Sequence, residues 1–402
     1  MAKWEKMTID EHYKLIRNVQ AKYLQAGRRE KGQVLNMLVE ATGLERKYLI
    51  TLLSGPGPSR KKRKQQRGRK YGAKVDDAIR IIGSTLDWIC AERLTPGLVE
   101  IALHLARHGE MIVDDELLEL LGAISIPTVR RTVNRVRQDE YRLPQRKGKR
   151  RFRNSVADKI PMRVIPWDIA IPGHFEVDLV HHAGPDVRGE CVYTVQFIDV
   201  KTGWSERIAV LGRSYSRMRE AFSKFLAQCP IPVREIHSDN GPEFMNAHLQ
   251  RFLADKFRGA KFTRSRPGQK YVLSEVEGND NRFVEQKNST LVRAYLGRES
   301  FTTQEQADLL NELYDQMRVY YNFFQPVLRQ IERSVHYKAN HAPVLVRKQD
   351  TARMPLKRLT ESDVLDQKTR VWLRCTYVQT NPRRLRREIQ QLLDALFDTN
   401  SR

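Results

Sequence analysis

This chain of 402 residues is short of several things, and each shortage removes a class of protein. No run approaches the ~18 apolar residues of a membrane span. The first residues, MAKWEKMTIDEHYK, are charged and contain no apolar segment of the kind a secretory leader needs. Cysteine is scarce: Cys90, Cys191, Cys229 and Cys375 lie far apart and form no CxxC pair. Neither a disulfide framework nor a zinc site is therefore expected, and reduced thiols in the cytoplasm are. Acidic residues are outnumbered, 48 against 71 Lys and Arg, which leaves a formal charge of +23. A field of that size favours polyanions through counterion release and steering. What the chain does have is apolar content, 40% of residues, enough for two to four domains with cores of their own.

The front of the chain reads as helices. Thr8-Ile9-Asp10-Glu11 offers a capping pattern, and Leu15, Ile16 and Val19 recur at helical spacing. VLNMLVEATGLERKYLITLL then gives a helix, a turn at Thr42-Gly43 and a second helix from about Leu44, with Glu45, Arg46 and Lys47 exposed near its start. That is a helix-turn-helix pattern, which any helical hairpin also produces. Residues 1–58 are taken as this first unit. A linker, 59–74, follows; eight of the eleven residues 60–70 are basic and none is acidic. Such a run cannot form a core. Arg60, Lys61, Lys62, Arg63, Lys64, Arg67, Arg69 and Lys70 are candidate phosphate or minor-groove contacts.

Residues 75–141 repeat the pattern. DDELLELLGAISIPTVRRTVNRVRQ predicts a helix, a turn at Gly122-Ala-Ile and a helix entered through Ser125 and Pro127. Arg130, Arg131, Asn134 and Arg135 should face outward from it as DNA contacts. His104 and His108, four apart, lack Cys or carboxylate companions and fit a packing role better than a metal pair. A second basic linker, 142–165, carries seven basic residues between Arg142 and Arg153.

Beyond it the pattern turns to strands. HFEVDLV, ECVYTVQFIDV and GWSERIAVL follow one another, the last two joined at Lys201-Thr-Gly. A helix over 214–228, the strand VREIHSD, a helix near 246–256, the strand KFTRS and two long helices complete an α/β domain with a mixed sheet over 166–330. Residues 331–402 form a small basic region that ends in a helix started by Pro382.

Three acids stand out. Asp178 lies mid-strand, on the face opposite Phe175, Val177 and Leu179, where a carboxylate is disfavoured by propensity. Asp239 ends a strand and opens the turn Asn240-Gly241-Pro242, the kind of place where α/β folds put ligands. Glu285 begins a helix that continues through Asn288, Ser289 and Val292 on one face. Oxygen ligands without His or Cys companions select Mg²⁺ or Mn²⁺. Two such ions about 3.5–4 Å apart would activate an attacking water or 3′-hydroxyl and stabilise the leaving oxygen. Asn288 and Lys287 are further candidate phosphate contacts, whereas His237 is read as a packed strand residue, and Asp199 and Trp204 as hairpin formers.

The phrases HFEVDLV, HSDNGPEF, NDNRFVEQKN and YYNFFQP resemble the integrase catalytic core of bacterial insertion-sequence transposases, relatives of retroviral integrases. The likeness covers a little over a third of the chain, about Pro172 to Pro326. It implies an RNase H-like fold and a DDE-type enzyme using two divalent ions. Its partners would be double-stranded DNA, both the element's terminal inverted repeats and the target, and synapsis of two ends implies a homo-oligomer in the bacterial cytoplasm. The family's acids carry over onto Asp178, Asp239 and Glu285. Spacing alone prefers Glu275, which has 35 residues between it and Asp239 against 45 for Glu285. Context prefers Glu285, whose third neighbour onward is Asn288, as the resemblance requires. Removing Tyr271 to Gly278 would leave 37 residues between the acids, so that stretch reads as an insertion beside the site. The competing reading is a regulator or end-binding protein descended from such an enzyme and no longer catalytic.

Overall fold

The computed structural model describes residues 8–59, 70–137, 169–183, 190–239, 244, 247–257, 259–265, 284, 287–297, 299–336 and 344–400. The chain divides into two compact units, Met1–Lys70 and Tyr71–Arg402.

Among the described residues the first unit is three helices, α1 (Ile9–Gln25), α2 (Arg28–Thr42) and α3 (Arg46–Ser54). The capping box read from the sequence is present: Glu11 N–H donates to Thr8 Oγ1 at 3.4 Å and Thr8 N–H to Glu11 Oε2 at 2.6 Å. Gly43 ends α2 at φ +68°, a left-handed conformation that a glycine adopts without the strain of a Cβ. Ile16, Tyr23, Val34, Leu35, Leu38, Leu49 and Leu53 form a core that belongs to this unit alone. Gln20 Nε2 donates to the carbonyls of Leu53 and Gly55, tying the end of α3 to α1.

The second unit begins with α4 (Ala73–Thr85), α5 (Ala91–Leu94), α6 (Leu98–Arg107), α7 (Asp115–Ala123) and α8 (Ile126–Val136). The expected turn between the last two is tighter than the sequence indicated. Gly122 and Ala123 complete α7, and only Ile124 and Ser125 separate the helices. Ser125 holds the N-cap position, but its hydroxyl pairs with that of Thr128 at 3.0 Å instead of a backbone amide.

The sheet is five-stranded: β1 (His174–His181), β2 (Val192–Asp199), β3 (Ser205–Leu211), β4 (Glu235–Ser238) and β5 (Lys261–Arg264), in the order β3-β2-β1-β4-β5. β1, β2 and β3 are antiparallel to one another, while β4 runs parallel to β1 and β5 to β4. The expected α/β core with a mixed sheet is therefore what the chain forms, with helical regions before and after it. Asp199 shapes the β2–β3 hairpin by accepting from Thr202 N–H and Oγ1 at 2.7 and 2.6 Å. α9 (Tyr215–Gln228) and α10 (Ala247–Lys256) contribute Met218, Phe222, Phe225 and Leu253 to the core on the Phe175, Val177 and Leu179 side.

The opposite face of the sheet is covered as well. α11, a π-helical turn Asn288–Arg293 that runs on through the α turn Ala294–Leu296, lies there with α12 (Gln304–Val319), which passes into a second π turn, Tyr320–Phe324. Both π turns lie in segments the sequence reads as plain α-helix.

The region beyond residue 330 is more ordered than its composition indicates. β6 (Gln330–His336) and β7 (Val344–Gln349) form a hairpin, followed by α13 (Pro355–Thr360), α14 (Gln367–Gln379) and α15 (Pro382–Asn400). Pro382 starts the last helix as its sequence predicts, and Leu385, Ile389, Leu393 and Leu396 pack into the cluster built by α11 and α12. Among the described residues no helix is long and apolar enough to cross a membrane, and the cysteines are free.

Candidate active site

The sheet register brings the two aspartates together. β1 pairs with β4 in parallel, and the final rung of that ladder joins Val177 to Ser238. Asp178 and Asp239 are the next residue on each strand, so their backbones lie about one strand spacing apart, ~4.8 Å. Asp178 is half-buried, and its Oδ1 accepts from Leu179 N–H at 2.8 Å. Asp239 is half-buried too, just past the end of β4.

Two hydrogen bonds fasten the chain around position 285 to the strand of Asp178. Val284 N–H donates to Glu176 Oε2 at 3.0 Å, and Asn288 Nδ2 donates to Asp178 Oδ2 at 2.5 Å. Glu176 stands two residues before Asp178, on the same face of β1, and is 1% exposed. The sequence picks out Asn288 as a phosphate contact; the structure turns its amide to the carboxylate of Asp178. Glu285 and Glu275 lie outside the described residues, as do Asn240, Gly241 and the stretch 271–278. Among the described residues no three His, Cys, Asp or Glu side chains gather in one cluster.

One rung of the sheet carries polarity away from Asp178. Asp178 faces Gln196 on β2, and Gln196 faces Arg207 on β3. Arg207, 2% exposed, lies over the rings of Tyr314 and Tyr321, with its carbon Cζ 5.8 and 5.4 Å from their centroids. Among the described residues none of its three guanidinium nitrogens has a hydrogen-bond partner, and the amide oxygens of Gln196 and Asn288 also lack one. Lys287 is half-buried on the same side; desolvation first, then the charges of Arg93, Arg329 and Arg207, push its amine down to about 7.

A divalent cation suits this donor set. Asp178 and Asp239 are hard oxygen ligands on adjoining strands, and Asp178 is oriented by a neutral amide. Asn288 Oδ1 and Ser238 Oγ beside them, without a hydrogen-bond partner among the described residues, are oxygens of the kind that a cation's water shell satisfies.

The other residues singled out from sequence fall as follows. Arg130, Arg131, Asn134 and Arg135 are all exposed on α8; Arg130 pairs with Glu92 and Arg135 with Asp76. Glu45, Arg46 and Lys47 are exposed at the start of α3. Of the basic run, Lys70 is described and exposed, and 60–69 lies outside the described residues. His104 and His108 donate from Nε2 to the carbonyls of Thr380 and Val378 at 2.9 and 3.1 Å, which gives both a structural role at the end of α14. His237 is buried between Thr263 and Ser265. Sequence reasoning misses Glu176 and Arg207, because a single charged residue in a strand looks like a solvated one until its neighbours are known.

No protein-family profile matches the chain. Among solved structures, the HTLV-2 integrase catalytic core domain in complex with magnesium (dimeric form) is 15% identical, covering 39% of this chain and 92% of that one, with a TM-score of 0.26. The catalytic core domain of BIV integrase is 18% identical over 38% of this chain and 84% of that one, with a TM-score of 0.25. Among curated proteins, the uncharacterized protein y4rM of Sinorhizobium fredii is 30% identical over 324 residues, which is 80% of this chain and 88% of that protein. At that identity and coverage, this chain belongs to the same family as y4rM.

Proposed function

We propose that this protein is a DDE-type DNA transposase, which cuts double-stranded DNA at the ends of its element and joins them to a target. The observation that carries this reading is the bracket around position 285. Asp178 lies within β1 and Asp239 just past the end of the parallel neighbour β4, and the chain on either side of Glu285 is bonded to the strand of Asp178 through Val284 and Asn288. In the sequence Glu285 falls between these two anchors. That favours Glu285 over Glu275 as the third ligand.

Asp178, Asp239 and Glu285 would hold two Mg²⁺ or Mn²⁺ ions, and the bound pair supplies charge stabilisation for phosphoryl transfer. Asn288 keeps Asp178 turned toward the site, and Glu176 anchors the helix start. The exposed basic residues of α8, the run 60–70 and the start of α3 would hold the duplex, as the net charge of +23 supports. Two ends held together require at least a dimer.

Incubation of purified protein with labelled duplex carrying the DNA that flanks its own gene, with Mg²⁺, tests the reading. Nicking and joining are expected from the wild type. Asp178→Asn, Asp239→Asn and Glu285→Gln should each bring both to background while leaving binding intact, and Glu275→Gln should retain both. Binding without nicking would favour the regulator; an active Glu285→Gln beside an inactive Glu275→Gln would show that Glu275 is the ligand. Deleting residues 60–70 should weaken binding and reduce the slope of log K against log salt by about 0.9 for each phosphate that is no longer neutralised.

A further inference from the structure

The phrase YYNFFQP, residues 320–326, takes no direct part in the site, yet its polar groups reach in two directions. Toward the sheet, Asn322 grips β3: its Oδ1 accepts from Ser205 N–H and its Nδ2 donates to Ser205 O, both at 2.9 Å. Toward the helices before the sheet, Tyr320 Oη donates to Thr85 O at 2.7 Å and Gln325 Nε2 to Leu86 O at 2.9 Å. Arg93 Nε returns a bond to Pro326 O at 2.6 Å. The backbone it meets is unusual: Asp87 and Trp88 both adopt φ +54°, outside the range most side chains prefer. Asp87 is held there by an ion pair with Arg386 of α15 at 2.9 Å, and Trp88 is fully buried.

This seam lies at the end of α4, and α4 packs against α8 and is paired to it through Asp76 and Arg135. A continuous path of described residues thus runs from α8, through α4 and the left-handed pair, into Tyr320–Pro326, on to β3 and across two strand pairings to Asp178. Hydrophobic residues from α4 to α8 share one core with β1, β2 and β3. α8 and Asp178 thus belong to one compact unit.

We infer that this seam sets which phosphate of a bound DNA duplex is cut, with Tyr320, Gln325, Arg93 and the Asp87–Arg386 pair as positioning residues. The inference rests on the transposase reading and deepens it. A duplex gripped by α8 is offered to the acids at one distance only. Loosening the seam leaves both the grip and the acids intact but releases the distance between them.

The test uses the full chain and a duplex that the protein itself selects from a random pool, extended on both sides and end-labelled. Products formed with Mn²⁺ are sized to single-nucleotide resolution. Wild type should give one product length. Tyr320→Phe combined with Arg386→Ala should bind the same duplex with unchanged affinity and cut at several neighbouring phosphates. Asp87→Asn alone, which keeps an acceptor for Arg386, should retain the single length. If the double variant lacks a native melting transition, Gln325→Leu alone replaces it, with the same spread expected. Seam variants that cut the original phosphate, only more slowly, would overturn the inference and leave the transposase reading standing. A wild type that binds and never cuts would overturn both.

Discussion

Residues 28–54 and 115–136 each fold as helix, short turn, helix, and in each the second helix starts with exposed basic side chains nearby. The first closes on a core of its own, from Ile16 to Leu53, inside the unit that ends at Lys70. The second has no separate core: Ile82, Trp88, Ile101 and Val129 belong to the cluster that contains Val177, Phe197 and Phe222 of the sheet domain. One local pattern therefore serves two purposes. The first packs on residues of its own unit, whereas the second packs into the core of the sheet. The pattern identifies neither role; the destination of the apolar face does.

Cavities in the two cores probe this difference most strongly. Ile82→Ala should cost about 2–5 kcal/mol and raise amide exchange in α4 and β1–β3 together. Leu38→Ala should carry a similar cost, about 2–5 kcal/mol, confined to α1–α3. Exchange in β1–β3 left unchanged by Ile82→Ala would separate the second module from the sheet after all.

A pH series makes a finer cut. Glu206 is fully buried, accepting from Trp204 Nε1 and Gln228 Nε2 at 2.7 and 2.9 Å, and burial lifts its carboxyl from 4.5 to about 7. The folded state then binds this proton more tightly than the unfolded one, so stability is lost as pH rises from 4.5 to 7. Relative to Glu206→Gln, the parent should lose up to about 3 kcal/mol across that window. Taking the difference removes the contribution of His182, whose buried imidazole is pushed down to about 3 and acts in the opposite direction. Denaturant melts followed by tryptophan fluorescence, with α1–α3 tracked by exchange, should show the effect in the second unit alone. An identical pH slope in parent and variant would mean Glu206 titrates normally. The smallest effect belongs to Gly43→Ala. Nothing lies within 4 Å of the added Cβ, so the φ of +68° alone sets a cost of about 1 kcal/mol, again limited to the first unit.

Much of this architecture is legible in the residues, because strands with one rigid pattern announce themselves. GWSERIAVL and VREIHSD lie close to β3 and β4, Pro382 starts the last helix, and Thr8 caps the first. Asp178 and Asp239 are legible as a pair because both are carboxylates where strands place polar groups only for a reason. What escapes is set by distant partners. Arg207 goes unremarked within GWSERIAVL and is buried over two tyrosines. Asn288 reads as a hand for phosphate and holds a carboxylate. The hairpin of β6 and β7 and the helices α13 and α14 escape because their apolar residues show little periodicity of their own.

The wide turn Asn288–Arg293 bears on any comparison with relatives of different length. A π turn holds one more residue than the α turn it replaces. Losing a single residue there would restore the α turn and leave the flanking residues in register, whereas the same loss from a plain α segment would rotate everything on one side of it by about 100° against the other. A one-residue gap therefore belongs in this stretch when homologous chains are aligned, and sliding it a few positions would imply a rotation that the fold does not require.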